Sequence, residues 1–289
     1  QTDAAMYEAK RRQRGTIQLF DESTQKYLND QADMANRLRG ALAANNFEQV
    51  YQPQVDQHGR VIGVEALLRW HDPQLGDIPP SAFIPLAESL HLIVEIDRWV
   101  LRHACRTAGT WRQDPTLGNI TLSVNVSAEY FSLDEFIDEV TGYLEQYGAT
   151  PAQLMIELTE GSLVADTEAN TLKIRALQEA GLSLAIDDFG TGNSSLAYLR
   201  RFEVDQIKID QRFIRDMLQN ERSLAITTFI IQLAHDLGCP TLAEGVENDA
   251  QRQQLIALGC DLFQGFMFSK PLPLMECESA IRQAASKTA

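Results

Sequence analysis

The sequence predicts an α/β fold, a TIM-like (β/α)8 barrel whose first strand runs antiparallel to its neighbours. Three observations carry this. From Val50 onward, short β-rich runs alternate with longer helical patterns, as in a parallel sheet or barrel. Eight such runs can be counted, and nearly every one from the second onward has a polar residue at or just after its end, where barrel strands build their sites. The first two runs are joined only by residues 56–60, with His58 and Gly59 at the turn, which suits an antiparallel hairpin. A doubly wound open sheet is the competing arrangement, since alternation alone does not demand closure, but the strand count favours the barrel.

Taken in order, residues 1–21 read as a small unit of their own, with a helix over 4–12 and a strand over 16–20, too little to fold alone. Residues 22–37 read as a linker helix, part of a polar, helix-prone stretch over 21–45 with Leu28, Met34, Leu38 and Leu42 at roughly helical spacing. The main domain takes residues 38–289. Its predicted strands cover 50–55, 61–68, 121–126, 154–158, 183–187, 206–209, 241–244 and 262–264, and most segments between them are long enough for helices.

Bulk properties narrow the function. At 289 residues and 44% apolar content the chain can bury a substantial core. A formal net charge of -15 argues against binding duplex nucleic acid, which needs lysine and arginine to neutralise phosphates, so an anionic ligand would require local cations. Cys105, Cys239, Cys260 and Cys277 are scattered, without the close pairs of a zinc or redox motif, and read as buried free thiols. No apolar run reaches the roughly 18 residues of a membrane span, and no signal-peptide pattern opens the chain. The expectation is a soluble, cytoplasmic domain, although a membrane or sensory segment could precede it in the parent protein.

The chemistry gathers at the strand ends. Glu65 stands inside the apolar run Val64-Glu65-Ala66-Leu67-Leu68, where a carboxylate needs a partner or a metal. An ion pair with Arg69 is the plain alternative. Asn125 in Val124-Asn125-Val126 and Glu157 in Ile156-Glu157-Leu158 take the same kind of position, and Asp187-Asp188 follow the apolar Ala185-Ile186. Any one of these could be a capping or turn residue. Repeated in barrel order, oxygen ligands favour a hard-cation site, magnesium or manganese, and the adjacent Asp187 and Asp188 suggest a second or shared ion. Two such ions about 3.5 to 4 Å apart suit phosphodiester hydrolysis.

Lys208 in Ile207-Lys208-Ile209 is either a surface lysine on an edge strand or, in a barrel, a cation at the mouth that orients water and balances phosphate charge. Glu244 is a candidate for metal ligation or general base work, with Glu247 a further acid beside it and Gln264 a polar contact. Gly190-Thr191-Gly192 permits a tight loop after Asp188 without forming a nucleotide-binding fingerprint, and Glu160 could anchor that loop.

These residues resemble the EAL family of bacterial phosphodiesterases, which hydrolyse the second messenger cyclic di-GMP to linear pGpG. The likeness covers roughly residues 38–284. It rests on Glu65-Ala66-Leu67, Asn125, Glu157-Leu158-Thr159-Glu160, Asp187-Asp188-Phe189-Gly190-Thr191-Gly192, Lys208-Ile209-Asp210, Glu244-Gly245-Val246-Glu247 and Gln264-Gly265. It implies that Glu65, Asn125, Glu157 and Asp187 bind metal, with Asp188 holding a second ion. Lys208 would position water, and Glu244 would act near the second metal or as base. Gln52 and Arg69 would contact substrate, Asp210, Glu247 and Gln264 would join them, and Glu160 would steady the loop. A TIM-like barrel with an antiparallel first strand and a homodimer are also implied.

Asn193 departs from the family, which carries an aromatic residue there. Asp3-Ala4-Ala5-Met6-Tyr7-Glu8-Ala9-Lys10 looks like the closing helix of a GGDEF domain, and residues 16–20 like its last strand. The likeness implies missing N-terminal GGDEF or sensory domains. A catalytically weak cyclic di-GMP receptor acting through protein partners is the alternative function, and the intact acids argue against it.

Overall fold

The computed structural model describes residues 22–44, 46–164, 167–191 and 203–288. The helix expected over 4–12, the strand over 16–20 and Asn193 lie outside the described residues. In chain order the first elements are α1 (Glu22–Ala44), β1 (Phe47–Asp56), β2 (Val61–Asp72), β3 (Gly76–Ile78), α2 (Pro80–Ser89) and α3 (Ile93–Trp111). Next come β4 (Thr121–Asn125), α4 (Ala128–Ser132), α5 (Phe136–Tyr147), β5 (Leu154–Thr159), α6 (Glu160–Val164), α7 (Thr167–Glu179) and β6 (Ser183–Phe189). The last are β7 (Gln206–Ile209), α8 (Gln211–Asp216), α9 (Glu221–Asp236), β8 (Thr241–Ala243), α10 (Asp249–Leu258), β9 (Leu262–Phe263) and α11 (Leu274–Thr288).

The chain packs into two compact units. Among the described residues, one takes 22–47 with 70–92, the other 48–69 with 93–288. In the first, Ala35, Leu38 and Ala41 of α1 are buried, one face at helical spacing. Phe83 of α2 meets Trp70 edge-on, with ring centroids 5.5 Å apart, and Phe47 lies 6.1 Å from Phe83. Asp72 accepts the amides of Gln74 and Leu75, which closes the turn into β3, and also pairs with Arg37 at 3.0 Å. The sequence reading did not foresee β3 or α2. Their pairing partner, the end of β2, is fixed by tertiary contact, and Pro85 inside α2 weakens its helical signal.

In the second unit the strands follow one another in the order β1-β9-β8-β7-β6-β5-β4-β2, and β1 pairs with β2 to close the ring. β1 runs antiparallel to β9, with Val55 opposite Phe263. From β2 through β4 round to β9 the neighbours are parallel, from Gly63 opposite Thr121 to Ala243 opposite Phe263. This is the eight-stranded barrel with a reversed first strand that the sequence predicts. Strand interiors such as Leu122, Val124, Ile156, Leu158 and Leu184 are fully buried. α3 covers the barrel with a stripe that includes Ile93, Ile96, Val100, Leu101, Ala104 and Trp111. Cys105, Cys239, Cys260 and Cys277 are buried and free, as expected. Among the described residues, no helix is long and apolar enough to cross a membrane.

Candidate metal centre

Parallel strands place their C-terminal residues at one end of the barrel, and that end carries the acids. Glu65 comes from β2, Asn125 from the last position of β4, Glu157 from β5 and Asp187 and Asp188 from β6. Lys208 comes from β7, while Glu244 and Gln264 directly follow β8 and β9. Register ties neighbours together, with Asn125 opposite Glu157 and Thr159 opposite Asp187.

Lys208 is the hub. Its side chain is 0% exposed, and Nζ lies 2.7 Å from Glu157 Oε2, 2.7 Å from Glu244 Oε1, 3.2 Å from Asp187 Oδ1 and 3.6 Å from Glu65 Oε1. That burial excludes the edge-strand surface lysine. Glu65 does not need Arg69 as its partner: Asn125 Nδ2 donates to Oε1 at 2.7 Å and Gln264 Nε2 to Oε2 at 2.6 Å. Gln264 Nε2 also donates to Gln52 Oε1 at 3.2 Å, and Gln52 Nε2 reaches the Ser269 carbonyl.

The backbone bends where β6 delivers its two acids. The register shifts between Ile186 and Phe189, and Asp188 adopts a left-handed φ of 54°, uncommon for a residue with a side chain. Beyond the two acids, Gly190 donates its amide to Glu160 Oε2 at 3.2 Å. Glu160 thus holds the start of the loop that follows β6, and Gly192 lies outside the described residues.

Carboxylate oxygens converge in two groups, Glu65, Glu157 and Asp187 in one and Asp187, Asp188 and Glu244 in the other, each within 4.8 Å. Asp187 belongs to both. Burial pushes the Glu157 carboxyl well above its ordinary range against the pull of Lys208, and the neighbouring Glu65 and Asp187 add to the rise. Burial likewise raises Glu244 to about 8 and Asp188 to about 7, the latter helped by a shared hydrogen bond with Asp210. Burial opposes ionisation of Glu65 too, but Lys208 and the two amide donors outweigh it and hold that carboxyl down. Lys208 itself is pushed well up, because the surrounding acids overcome its burial.

One ammonium therefore faces more negative charge than it can balance. Among the described residues, buried Glu157 Oε1 receives no hydrogen bond. Oxygen-only donors in two converging groups, with that oxygen unpaired, fit hard divalent cations such as magnesium or manganese rather than a thiolate-seeking ion.

The other expected residues divide. Gln52, Glu247 and Gln264 line a cleft of about 240 Å³ beside Glu65, Asp187 and Glu244. Arg69 does not line that cleft; its Nη1 donates to the Leu68 carbonyl, and its guanidinium is half-buried. Asp210 lies beneath Asp188, caps α8 through the Arg212 amide and takes the Arg212 side chain at 2.9 and 3.0 Å. Gln211 and the exposed Phe266 also line the cleft, and Gln54 reaches Gln264, none of them foreseen. A two-residue period from Gln52 along β1 would have found Gln54. Gly265 passes so close to Val246 that an added Cβ would lie 2.2 Å from its carbonyl oxygen, which is how Gln264 reaches the Glu244 loop.

The family profile described as "EAL domain" matches residues 35–271. A bifunctional diguanylate cyclase/cyclic di-GMP phosphodiesterase, MucR of Pseudomonas aeruginosa, is 39% identical over 272 residues, which cover 94% of this chain and 40% of the relative. The cyclic di-GMP phosphodiesterase NbdA of the same species is 38% identical over 281 residues, 96% of this chain and 36% of the relative. The chain thus spans about two fifths or less of the length of these curated relatives. Among solved structures, a MucR phosphodiesterase in complex with c-di-GMP superposes with a TM-score of 0.82 at 39% identity, covering 85% of this chain and 99% of that one. The EAL enzyme Bd1971, bound to cAMP and cyclic di-GMP, gives a TM-score of 0.84 at 29% identity over 88% of this chain and 70% of that one. On the match over most of its length, this chain belongs to the EAL-domain family.

Proposed function

We propose that this chain hydrolyses cyclic di-GMP to linear pGpG, with two Mg2+ or Mn2+ ions held by Glu65, Asn125, Glu157, Asp187, Asp188 and Glu244. The observation that carries the reading is a pair of carboxylate groups sharing Asp187 around a fully buried lysine. Bound there, divalent ions supply activation of water and neutralisation of charge on the phosphate and leaving oxygen. The rest falls to the chain. Lys208, fixed by four carboxylates, orients the attacking water, and Glu244 accepts its proton. The water oxygen bonds to phosphorus, the bond to the ribose 3′ oxygen breaks, and a proton ends on that oxygen. Gln52, Glu247 and Gln264 hold the substrate from the cleft wall, while Arg69 and Asp210 are assigned to it on family likeness. Glu160 steadies the loop after Asp188 through Gly190.

Chromatography of the product formed with Mg2+ or Mn2+ tests this directly. The parent protein should release pGpG and Glu65→Ala should not; full turnover by that variant would defeat the assignment. The complete ligand set favours turnover over a receptor, and tight binding of cyclic di-GMP without product in every divalent metal would reverse that preference. Calcium should bind without supporting reaction, because its looser coordination positions water less strictly. The same reading includes a homodimer, a cytoplasmic place of action and a division at residues 1–21, 22–37 and 38–289. The first segment would close a GGDEF domain of a longer parent protein that could itself be anchored in the membrane.

A further inference from the structure

Gln54 is a side chain on β1, 2% exposed, that no role described so far requires. Its Nε2 donates to Gln264 Oε1 at 3.1 Å. Gln264 has one orientation that satisfies its surroundings. An ionised Glu65 can only accept, so the Gln264 amide must turn Nε2 toward Glu65 Oε2, 2.6 Å away, and that turns Oε1 the other way. Gln54 supplies the donor that meets it there.

The approach is built into the backbone. A Cβ on Gly63 would stand 2.7 Å from Gln54 Oε1 and 3.1 Å from the Thr121 carbonyl, so the bare glycine leaves room for the Gln54 amide between β1 and β2. The chain of donors then runs from Gln54 to Gln264 to Glu65, and Asn125 holds the other oxygen of Glu65.

We infer that Gln54 is a positioning residue for the metal centre, setting the Gln264 amide so that Glu65 is presented in one fixed orientation. Gln54 does not line the cleft and acts through Gln264. The inference rests on the proposed function only in taking Glu65 as a metal ligand. Partners that orient a ligand in this way are worth about 10- to 100-fold in metal affinity. Removing Gln54 strands Gln264 Oε1 without a donor in a buried place, so the amide gains freedom to turn its oxygen toward Glu65.

The test is Mn2+ binding to the full chain, measured by titration calorimetry without substrate, for the parent, Gln54→Met, Gly63→Ala, Gln264→Met and the double variants. Gln54→Met should weaken Mn2+ binding about tenfold. Gly63→Ala, whose Cβ crowds the Gln54 amide directly, should shift binding in the same direction. Neither change should matter further once Gln264 is Met, because the path to Glu65 is already cut. Gln54→Met or Gly63→Ala binding Mn2+ like the parent, or losses that add to that of Gln264→Met, would overturn the inference. If Gln54→Met fails to fold, Gly63→Ala decides by the same criteria. A parent that binds no Mn2+ would instead defeat the metal-centre reading, and this inference with it.

Discussion

Replacing Lys208 by Met separates the folding role of the buried ammonium from its role in turnover. Its nitrogen lies within 3.6 Å of four carboxylates and is wholly shielded from water. Taking one partner out of such a buried cluster costs about 3–5 kcal/mol, because the charges left behind keep their desolvation penalty without their counter-ion. For a domain of this size, 1 kcal/mol moves the melting temperature by about 2–4 °C, so Lys208→Met should melt about 10 °C lower in EDTA. Mn2+ at about 100 times its dissociation constant returns about 2.7 kcal/mol to whichever form binds it. The variant should therefore regain most of its melting temperature in Mn2+ while forming no pGpG. Scanning calorimetry in EDTA and in Mn2+, beside the product assay, reads all three quantities. A variant that melts within about 2 °C of the parent in EDTA, or turns over normally in Mn2+, refutes the placing of Lys208 as the charge hub.

Two further outcomes test the fold. Phe83→Ala empties the aromatic cluster of the first unit and should cost about 3–5 kcal/mol by urea unfolding; a loss under about 1 kcal/mol would contradict the burial of that ring. Asp114 is held down to about 2 by its hydrogen bond from Arg282 of α11 and by the amides of Leu117 and Thr116. Its folded value lies below the ordinary carboxylate range, so its contribution is present above about pH 4 and lost as pH falls through about 2. Asp114→Asn should thus melt lower than the parent at pH 6 and alike at pH 2. A gap of equal size at both pH values would show that the carboxylate's charge is not what ties down α11.

Much of this was legible in the sequence because period and position carried it. Eight β-rich runs alternating with helical patterns and the five-residue joint at 56–60 were enough for the barrel and its reversed strand, and acids at successive strand ends were enough for the ring around Lys208. Legibility failed where a side chain's partner comes from elsewhere in the chain. Asp210 reads as one more acid at a strand end, and its further use as a helix cap paired with the Arg212 side chain was not foreseen. Gln54 shares a face with Gln52, yet its use depends on an amide 210 residues away. The left-handed turn at Asp188 has no glycine to announce it. β3 was missed because a three-residue strand leaves no periodic signal, and α2 because Pro85 interrupts its helical pattern.

Asp187 gives its single side-chain carboxylate to both groups of ligands. A single side chain cannot satisfy two positions without each feeling the other, so occupancy of one alters the affinity of its neighbour, by the same factor in either direction. Titration with a divalent ion should accordingly depart from the curve of two independent sites. The coupling is a property of the fold, since it originates in the place at the end of β6 that brings Asp187 within reach of both groups. Activity would then follow ambient metal concentration through a cooperative or anticooperative response, and the sense of that response would disclose whether the shared carboxylate bridges the two ions or is contested by them.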